Sequence, residues 1–160
     1  MKKIKVMFVC MGNVCRSPTA HGIFRQLVKD ENLVNYFEIE SSGTHSDICN
    51  KGDASDPRTI ETALKFNCDI GDLVSRQLLS SDFEYYDYLI AMDDKNIKDM
   101  TLIALRSGMI KVSKIMDYAP DVLIRNVPDP YYKDAFDQVY VMIDKACRNL
   151  FTQLKKKLEK

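Results

Sequence analysis

A short segment near the amino terminus combines a potential nucleophile with a potential anion clamp. Cys10 ends an apolar run, and Arg16 follows after five residues, just before Ser17 and Pro18. A tight loop between a strand and a helix can direct successive backbone N–H groups at one point, where the positive end of the helix dipole adds to them. Arginine offers a planar fork that pairs with two oxygens of one anion. This spacing indicates a phosphate loop, residues 10–16, with a cysteine at its focus.

The residue types inside the phosphate loop fit that geometry. Gly12 and Asn13 tolerate the left-handed backbone angles that a tight turn demands. Cys10 should be a thiolate at neutral pH, because it lies at the focus of the same positive field. Ser17 can donate a proton toward that sulfur or cap the following helix, and the two roles are compatible. The residues expected around a bound phosphate are Met11, Gly12, Asn13, Val14, Cys15 and Ser17.

A candidate acid lies in the longest segment without clear periodicity, residues 118–132, here called the acid loop. A phosphate monoester needs a proton at its leaving oxygen, because a phenolate or an alkoxide leaves poorly. Asp129 stands between Pro128 and Pro130, which present it rigidly. On these residues alone, Asp129 is either a general acid or an ordinary turn residue.

The remaining sequence predicts the scaffold that would carry these segments. Short runs rich in branched or aromatic residues are typical of buried parallel strands: Ile4–Cys10, Phe37–Glu40, Tyr88–Met92 and Ile110–Met116. Helices should begin near Ser17, Asp56, Lys95 and Ala135. Strand alternating with helix predicts one α/β domain over residues 1–160, an open doubly wound sheet of about four parallel strands with helices on both faces. Such sheets bind ligands at the carboxyl ends of their strands, where Cys10 falls.

Composition excludes several classes of function. Lys plus Arg and Asp plus Glu both number 23, so no net positive field would gather nucleic acid or a membrane. Lys5 interrupts the amino-terminal apolar run, which is therefore neither a signal peptide nor a membrane span.

Five scattered cysteines favour a reducing, cytoplasmic compartment. No metal site or cofactor is expected. Three cysteines are interpreted as small apolar core residues: Cys49, Cys68 and Cys147. The two histidines, His21 and His45, are interpreted as surface or loop residues.

Three separated motifs resemble the low-molecular-weight protein tyrosine phosphatase family over nearly the full length of the chain. They are Cys-x-Gly-Asn-x-Cys-Arg-Ser-Pro at 10–18, Tyr-Asp-Tyr-Leu-Ile-Ala-Met-Asp at 86–93 and Asp-Pro-Tyr-Tyr at 129–132. The resemblance implies metal-independent hydrolysis of phosphotyrosine in proteins or peptides, and of aryl phosphates, through a cysteinyl-phosphate. Cys10 would be the nucleophile, Arg16 the phosphate clamp and Asp129 the general acid and then the general base. Inorganic phosphate, vanadate and similar oxyanions would inhibit.

The same resemblance implies supporting roles for other residues. Tyr131 and Tyr132 would line the pocket as aromatic walls, with Tyr131 facing the substrate and Tyr132 more structural. Asn13 and Ser41 resemble the family's hydrogen-bonding pair that stiffens the phosphate loop, with Ser42 as the alternative in the alignment. Stiffness matters because preorganised donors contribute most in the transition state.

Two departures from the family pattern concern the pocket wall and the support of the loop. Where many members carry a tryptophan, residues 46–50 here read Ser-Asp-Ile-Cys-Asn, so the effect of Ile48 and Cys49 on substrate preference is open. Leu73 stands where members often place a histidine that supports the loop through hydrogen bonds. The electrostatic tuning of the loop is therefore expected to differ.

Other functions remain compatible with parts of this pattern. Arsenate reductases resemble this pattern in fold and loop but carry an extra cysteine just beyond the third strand. Residues 92–109 of this chain contain no cysteine. Arginine phosphatases usually carry threonine where Val14 lies, and valine favours tyrosine. A non-enzymatic redox switch built on Cys10 and Cys15 is a further alternative, distinguished by whether Arg16 matters to its activity.

Overall fold

A four-stranded parallel sheet in the order β2-β1-β3-β4 forms the centre of the chain. The computed structural model describes residues 2–159, apart from the side chains of Tyr132 and Lys133. The strands are β1 (Ile4–Cys10), β2 (Phe37–Gly43), β3 (Tyr88–Ala91) and β4 (Val112–Lys114). β1 pairs with β2 along its whole length and with β3 over residues 6–9. The predicted single-domain α/β fold with about four parallel strands is confirmed.

Helices connect and cover the strands. They are α1 (Arg16–Asp30), α2 (Ser46–Cys49), α3 (Pro57–Lys65), α4 (Asp82–Tyr85), α5 (Asp94–Ala104), α6 (Pro130–Lys133) and α7 (Phe136–Leu158), with 3-10 turns at Val34–Tyr36, Leu105–Ser107 and Ile115–Tyr118. Within residues 2–159, no helix has the length and apolar character needed to cross a membrane.

The side chains of β1 alternate between two hydrophobic cores, as the two-residue period of a strand requires. Val6 and Phe8 join the core that contains α1 and α7. Met7 and Val9 join a second core with residues of α4 and α5. Phe24 fixes α1 in the first core, where its ring lies 5.5–5.8 Å from three other phenylalanine rings: Phe8, Phe37 and Phe151. This packing holds the start of α1 directly behind the phosphate loop.

Most of the expected helix boundaries agree with the structure. Asp56 caps α3 by accepting the Arg58 N–H at 2.9 Å, and α7 carries the expected buried stripe. The expected cap at Ser17 is wrong, because α1 already begins at Arg16 with Cys15 in the cap position. The hydroxyl of Ser17 lies 3.0 Å from the Cys10 sulfur instead.

The predicted strand boundaries are less accurate than the helix starts. β2 continues to Gly43, three residues beyond its predicted end, because it pairs in register with β1 up to Cys10. β4 is shorter than predicted, since Ile115 begins a 3-10 turn and Ile110 is exposed. An apolar run therefore located β4 correctly but did not define its ends.

His21 is buried in α1, contrary to the expected surface or loop position. Its Nδ1 lies 3.0 Å from Ser41 Oγ on β2. Burial, assisted by the charge of Arg25, lowers the pKa of His21 to about 4. The carboxylate of Asp72 opposes this shift but does not offset burial. His21 is therefore neutral at pH 7, whereas His45 lies half-buried in a loop as expected.

A neutral buried histidine makes the stability of the fold depend on pH. The pKa of His21 is about 4 in the folded state and about 6.5 in the unfolded state. Between these two pH values the unfolded chain therefore binds more protons than the folded chain. The contribution of His21 is complete above pH 6.5, declines as the pH falls toward 4 and then levels off. Between pH 7 and 4, protonation of His21 should lower the unfolding free energy of the parent by about 3 kcal/mol. We expect His21→Gln to lack this decrease.

Urea unfolding of His21→Gln and the parent at several pH values would measure this difference. His45→Gln is the control, because it makes the same substitution at the other of the two histidines. A constant difference between His21→Gln and parent over this pH range would contradict the assignment.

Candidate active site

The phosphate loop is shaped by hydrogen bonds that hold its carbonyl oxygens outward. None of the described peptide bonds is cis, and in a trans peptide the N–H points away from the preceding C=O. An outward carbonyl therefore turns the next N–H inward, as an anion cradle requires. Four hydrogen bonds of 2.8–2.9 Å hold these carbonyl oxygens. The donors and acceptors are Thr44 N–H to Cys10 O, His45 N–H to Met11 O, Ser75 Oγ to Gly12 O, and Asp56 N–H to Val14 O.

Asn13 provides the tight bend of the loop. Its φ is 60°, in the left-handed region that asparagine tolerates. Its backbone N–H donates to Cys10 Sγ at 3.3 Å, and its side chain accepts the Arg76 N–H at 3.0 Å. The expected left-handed angle is confirmed for Asn13 and wrong for Gly12. Gly12 instead allows close approach, since a Cβ there would lie 2.6 Å from Asn50 Nδ2.

Gly43, at the end of β2, allows the phosphate loop to lie against the sheet. A Cβ at this position would come within 2.5 Å of Met11 O and 3.0 Å of Asn13 N. Both atoms belong to the backbone, so no side chain can be accommodated without displacing the loop. Sequence reasoning did not identify Gly43, although a glycine inside a strand often marks such an approach.

Ser17 completes the surroundings of the Cys10 sulfur. Its Oγ accepts a hydrogen bond from Asn13 Nδ2 at 2.8 Å, which leaves the hydroxyl proton for another partner. Cys10 Sγ, at 3.0 Å, is nearer than the carbonyl of Ser42, at 3.4 Å. The arrangement allows Ser17 to donate to a thiolate.

The expected hydrogen-bonding pair of Asn13 and Ser41 does not form. The Asn13 side chain bonds to Ser17 and to the Arg76 N–H, whereas Ser41 bonds to His21. Ser42, the alternative, donates to the Met7 sulfur at 3.2 Å. Sequence spacing did not reveal these partners, because they depend on how α1 and β2 face each other.

Residues 75–77 support the phosphate loop from behind. Ser75 Oγ donates to Gly12 O and also bonds to Ser46 Oγ. The Gly43 N–H donates to Arg76 O at 2.9 Å. Leu73, which stands where family members often place a histidine, packs against the first core. Ser75, two residues after Leu73, therefore supplies a side-chain hydrogen bond to the loop. Comparing position 73 with the family pattern did not reveal this bond.

Arg16 is buried with its guanidinium between two acidic groups. Its Nη1 donates to Asp93 Oδ2 at 2.5 Å and to Val127 O at 3.0 Å, and its Nη2 lies 3.7 Å from Asp129 Oδ2. Burial opposes the charge, but Cys10 and Asp93 outweigh burial and raise the pKa of Arg16. Arg16 is therefore a fixed cation beside the phosphate loop.

Asp93 is a functional candidate to which sequence reasoning gave no role beyond its place in a motif. It caps α5, where its Oδ1 accepts the Asn96 N–H at 2.7 Å while Oδ2 holds Arg16. The Asn96 side chain accepts the Asp93 N–H at 3.2 Å in return. This reciprocal cap fixes the carboxylate that orients the guanidinium.

Asp129 meets the phosphate loop in one pocket. It caps α6 by accepting the Tyr131 N–H at 3.0 Å. The pocket has a volume of about 260 Å³ and is lined by Cys10, Met11, Gly12, Val14, Cys15, Arg16, Cys49, Asn50, Asp129 and Tyr131. Ser41 lies outside this lining, and the Tyr132 side chain lies outside the described residues. A larger groove of about 600 Å³, lined by Tyr88, Tyr118 and several lysines, contains none of these groups.

The cysteines occupy distinct environments. Burial raises the pKa of Cys15 to about 12, so Cys15 stays a thiol at neutral pH. Cys68 and Cys147 are buried as expected. Cys49 is not a small apolar core residue, because it is exposed and lines the pocket. Among the described residues, no cluster of His, Cys, Asp and Glu could hold a metal ion.

Comparison with known proteins gives consistent matches along the chain. The sequence model described as "Low molecular weight phosphotyrosine protein phosphatase" matches residues 5–160. The chain is 32% identical to "Low molecular weight protein-tyrosine-phosphatase YfkJ" of Bacillus subtilis, covering 96% of this chain and 97% of that protein. It is 35% identical to the low molecular weight phosphotyrosine protein phosphatase of Schizosaccharomyces pombe, covering 96% and 98%.

Solved structures show the same architecture. The crystal structure of YfkJ from Bacillus subtilis matches with a TM-score of 0.91 at 32% identity, covering 97% of this chain and 96% of that one. A protein tyrosine phosphatase from Entamoeba histolytica, determined with Hepes in the active site, matches with a TM-score of 0.88 at 30% identity, covering 97% and 99%.

Proposed function

The chain belongs to the low molecular weight phosphotyrosine protein phosphatase family, and on that premise we propose how its own residues hydrolyse phosphotyrosine. Cys10 is the nucleophile, Arg16 holds the phosphate and Asp129 transfers protons. The observation that carries this proposal is the convergence of all three on one pocket whose floor is the phosphate loop. The substrates are phosphotyrosine-containing proteins or peptides. Inorganic phosphate and vanadate occupy the same cradle as inhibitors.

The first step transfers the phosphoryl group to sulfur. The Cys10 thiolate attacks phosphorus while the bond to the tyrosine oxygen breaks, and Asp129 gives that oxygen its proton. The inward N–H groups of the loop and the Arg16 fork bind the equatorial oxygens, on which the transferred charge is spread. The products are tyrosine and a cysteinyl-phosphate.

The second step returns the enzyme to its starting state. Asp129, now a carboxylate, takes a proton from water as the water oxygen attacks phosphorus and the S–P bond breaks. The Ser17 hydroxyl, 3.0 Å from the sulfur, stabilises the departing thiolate. Inorganic phosphate then leaves, and no metal or cofactor takes part in either step.

The pocket wall supports an aromatic substrate. Tyr131 lines one side, and Val14 gives an apolar surface where a threonine would favour phosphoarginine. A flat ring can pack between such groups. This wall favours tyrosine over arginine as the phosphorylated residue.

We also propose that the protein works in a reducing, cytoplasmic compartment under redox control. All five cysteines are free, and Cys10 and Cys15 line the same pocket. A peroxide would oxidise the Cys10 thiolate to a sulfenic acid. The Cys15 thiol would then form a disulfide and release water, which blocks irreversible oxidation.

Substitutions at the proposed nucleophile and at the proposed phosphate clamp should separate phosphate binding from catalysis. Cys10→Ser should abolish turnover yet still bind vanadate or phosphate, because the N–H groups and Arg16 remain. Arg16→Lys should lose most activity, because a point charge cannot replace a two-pronged contact. Steady-state kinetics and oxyanion titration test both variants, and near-normal turnover by Cys10→Ser would refute the mechanism.

Removal of Asp129 should harm poor leaving groups most. Asp129→Ala should slow phosphoenzyme formation from phosphotyrosine or phenyl phosphate by about 10²–10⁴-fold, with a smaller loss for an activated nitrophenyl ester. Single-turnover rates across aryl phosphates of graded leaving-group pKa measure this. If variant and parent depend equally on the leaving group, another group in the acid loop is the proton donor.

Mild peroxide should convert the native protein to a Cys10–Cys15 disulfide. Mass spectrometry should detect the link, and dithiothreitol should restore activity. Cys15→Ser should recover less, because the Cys10 sulfenic acid has lost the thiol within the phosphate loop that would capture it. Cys68→Ser is the control, since Cys68 is buried and outside the pocket lining. Equal recovery by Cys15→Ser and native protein would exclude the protective role.

A further inference from the structure

We infer that Arg58 is a positioning residue that holds the acid loop against the phosphate loop and so sets the places of Asp129 and Tyr131. Arg58 lies outside the three sequence motifs and does not line the pocket. The inference rests on the proposed function, because it assigns Arg58 a consequence through Asp129.

One side of Arg58 is anchored to the phosphate loop through Asp56. The guanidinium forms a two-pronged pair with this carboxylate, Nε to Oδ1 at 3.1 Å and Nη2 to Oδ2 at 2.9 Å. Asp56 also accepts the Arg58 backbone N–H and caps α3. The backbone N–H of Asp56 donates to Val14 O at 2.9 Å. The plane of the guanidinium is therefore fixed relative to the loop.

The other side of Arg58 contacts the acid loop. The guanidinium carbon lies 5.2 Å from the centroid of the Tyr131 ring and 4.7 Å from that of Phe136, the first residue of α7. Nη2 also donates to Tyr131 O at 3.5 Å. The Tyr131 N–H in turn donates to Asp129 Oδ1. A continuous series of contacts thus joins Val14 to Asp129 through Arg58.

Arg58 contacts the more exposed part of the acid loop, which follows Val127, a residue buried in the first core. α6 is one turn long, and Tyr131 is 49% exposed. Asp129 lies 3.7 Å from Arg16, without the short contact that Asp93 makes. A small displacement of a proton donor or of a substrate wall can cost a large part of the rate. Lysine could keep the charge above the rings but not the two-pronged pair with Asp56.

The test compares Arg58→Met with Arg148→Met. Methionine keeps an apolar stem and removes the guanidinium in both. Arg148 is a matched control on α7, because it is also exposed (62%, against 45% for Arg58) and also pairs with a nearby carboxylate, Asp144 at 2.9 Å. Hydrogen exchange of the acid loop is the readout that does not depend on turnover. Kinetics with phenyl phosphate and nitrophenyl phosphate, and inhibition by inorganic phosphate, are the functional readouts.

Arg58→Met should speed amide exchange in residues 118–132 and leave exchange in residues 10–17 unchanged. It should lower kcat/KM for phenyl phosphate by about 10–100-fold, with a smaller loss for nitrophenyl phosphate. The inhibition constant of inorganic phosphate should stay within about twofold, because Arg16 and the loop amides are untouched. Arg148→Met should match the parent in every readout.

A double-mutant cycle with Tyr131→Leu tests whether Arg58 acts through the acid loop. In that background Arg58→Met should cost much less than in the parent, because the ring that it holds is already gone. Full additivity, unchanged acid-loop exchange, or equal losses of phosphate affinity and turnover would each overturn the inference. If Arg58→Met does not fold, Arg58→Lys should fold and show the same selective change in exchange, and its absence there would also overturn it.

The two proposals fail in different ways. A parent protein that cleaves no aryl phosphate would refute the catalytic assignments but would leave the exchange comparison decisive for Arg58. An active parent whose acid loop exchanges equally with and without Arg58 would refute the positioning role alone.

Discussion

Hydrogen bonds to the carbonyl oxygens of the phosphate loop are the constraint on which the rest of the site depends. Each one is made by a group from another part of the fold, and each turns the following N–H toward the inside of the loop. The loop has no regular structure of its own to impose this direction. Its shape, its field and the position of Cys10 therefore all follow from how the surrounding segments pack.

The acidic groups near the pocket surround one buried cation. Arg16 faces the Cys10 sulfur, the Asp93 carboxylate and the more distant Asp129. The short contact to Asp93 sets the direction of the guanidinium fork, whereas Asp129 lies farther away, at 3.7 Å. These distances agree with the proposed mechanism, in which the nearer carboxylate orients the phosphate clamp and the farther one transfers protons.

The sequence predicted what depends on neighbouring residues and missed what depends on distant ones. Cys10 to Arg16 could be interpreted because the whole loop is contiguous, and α7 because its apolar stripe repeats with the helical period. Gly43 and Ser75 could not be found in the same way, since their partners lie about 30 and 60 residues away in sequence. His21 was misplaced for the same reason, because the face of α1 that it occupies is covered by β2.

The central position of β1 has a consequence for how the protein acquires its structure during synthesis. This strand and the phosphate loop leave the ribosome before the strands that pair with β1, which begin at residues 37 and 88. The supports of the loop come from residues 44, 45, 56 and 75, and Arg16 is oriented by residues 93 and 127. Such long sequence separations slow folding. Cys10 is thus translated before its surroundings are organised, so an incomplete nascent chain carries this thiol without the loop geometry of the folded protein.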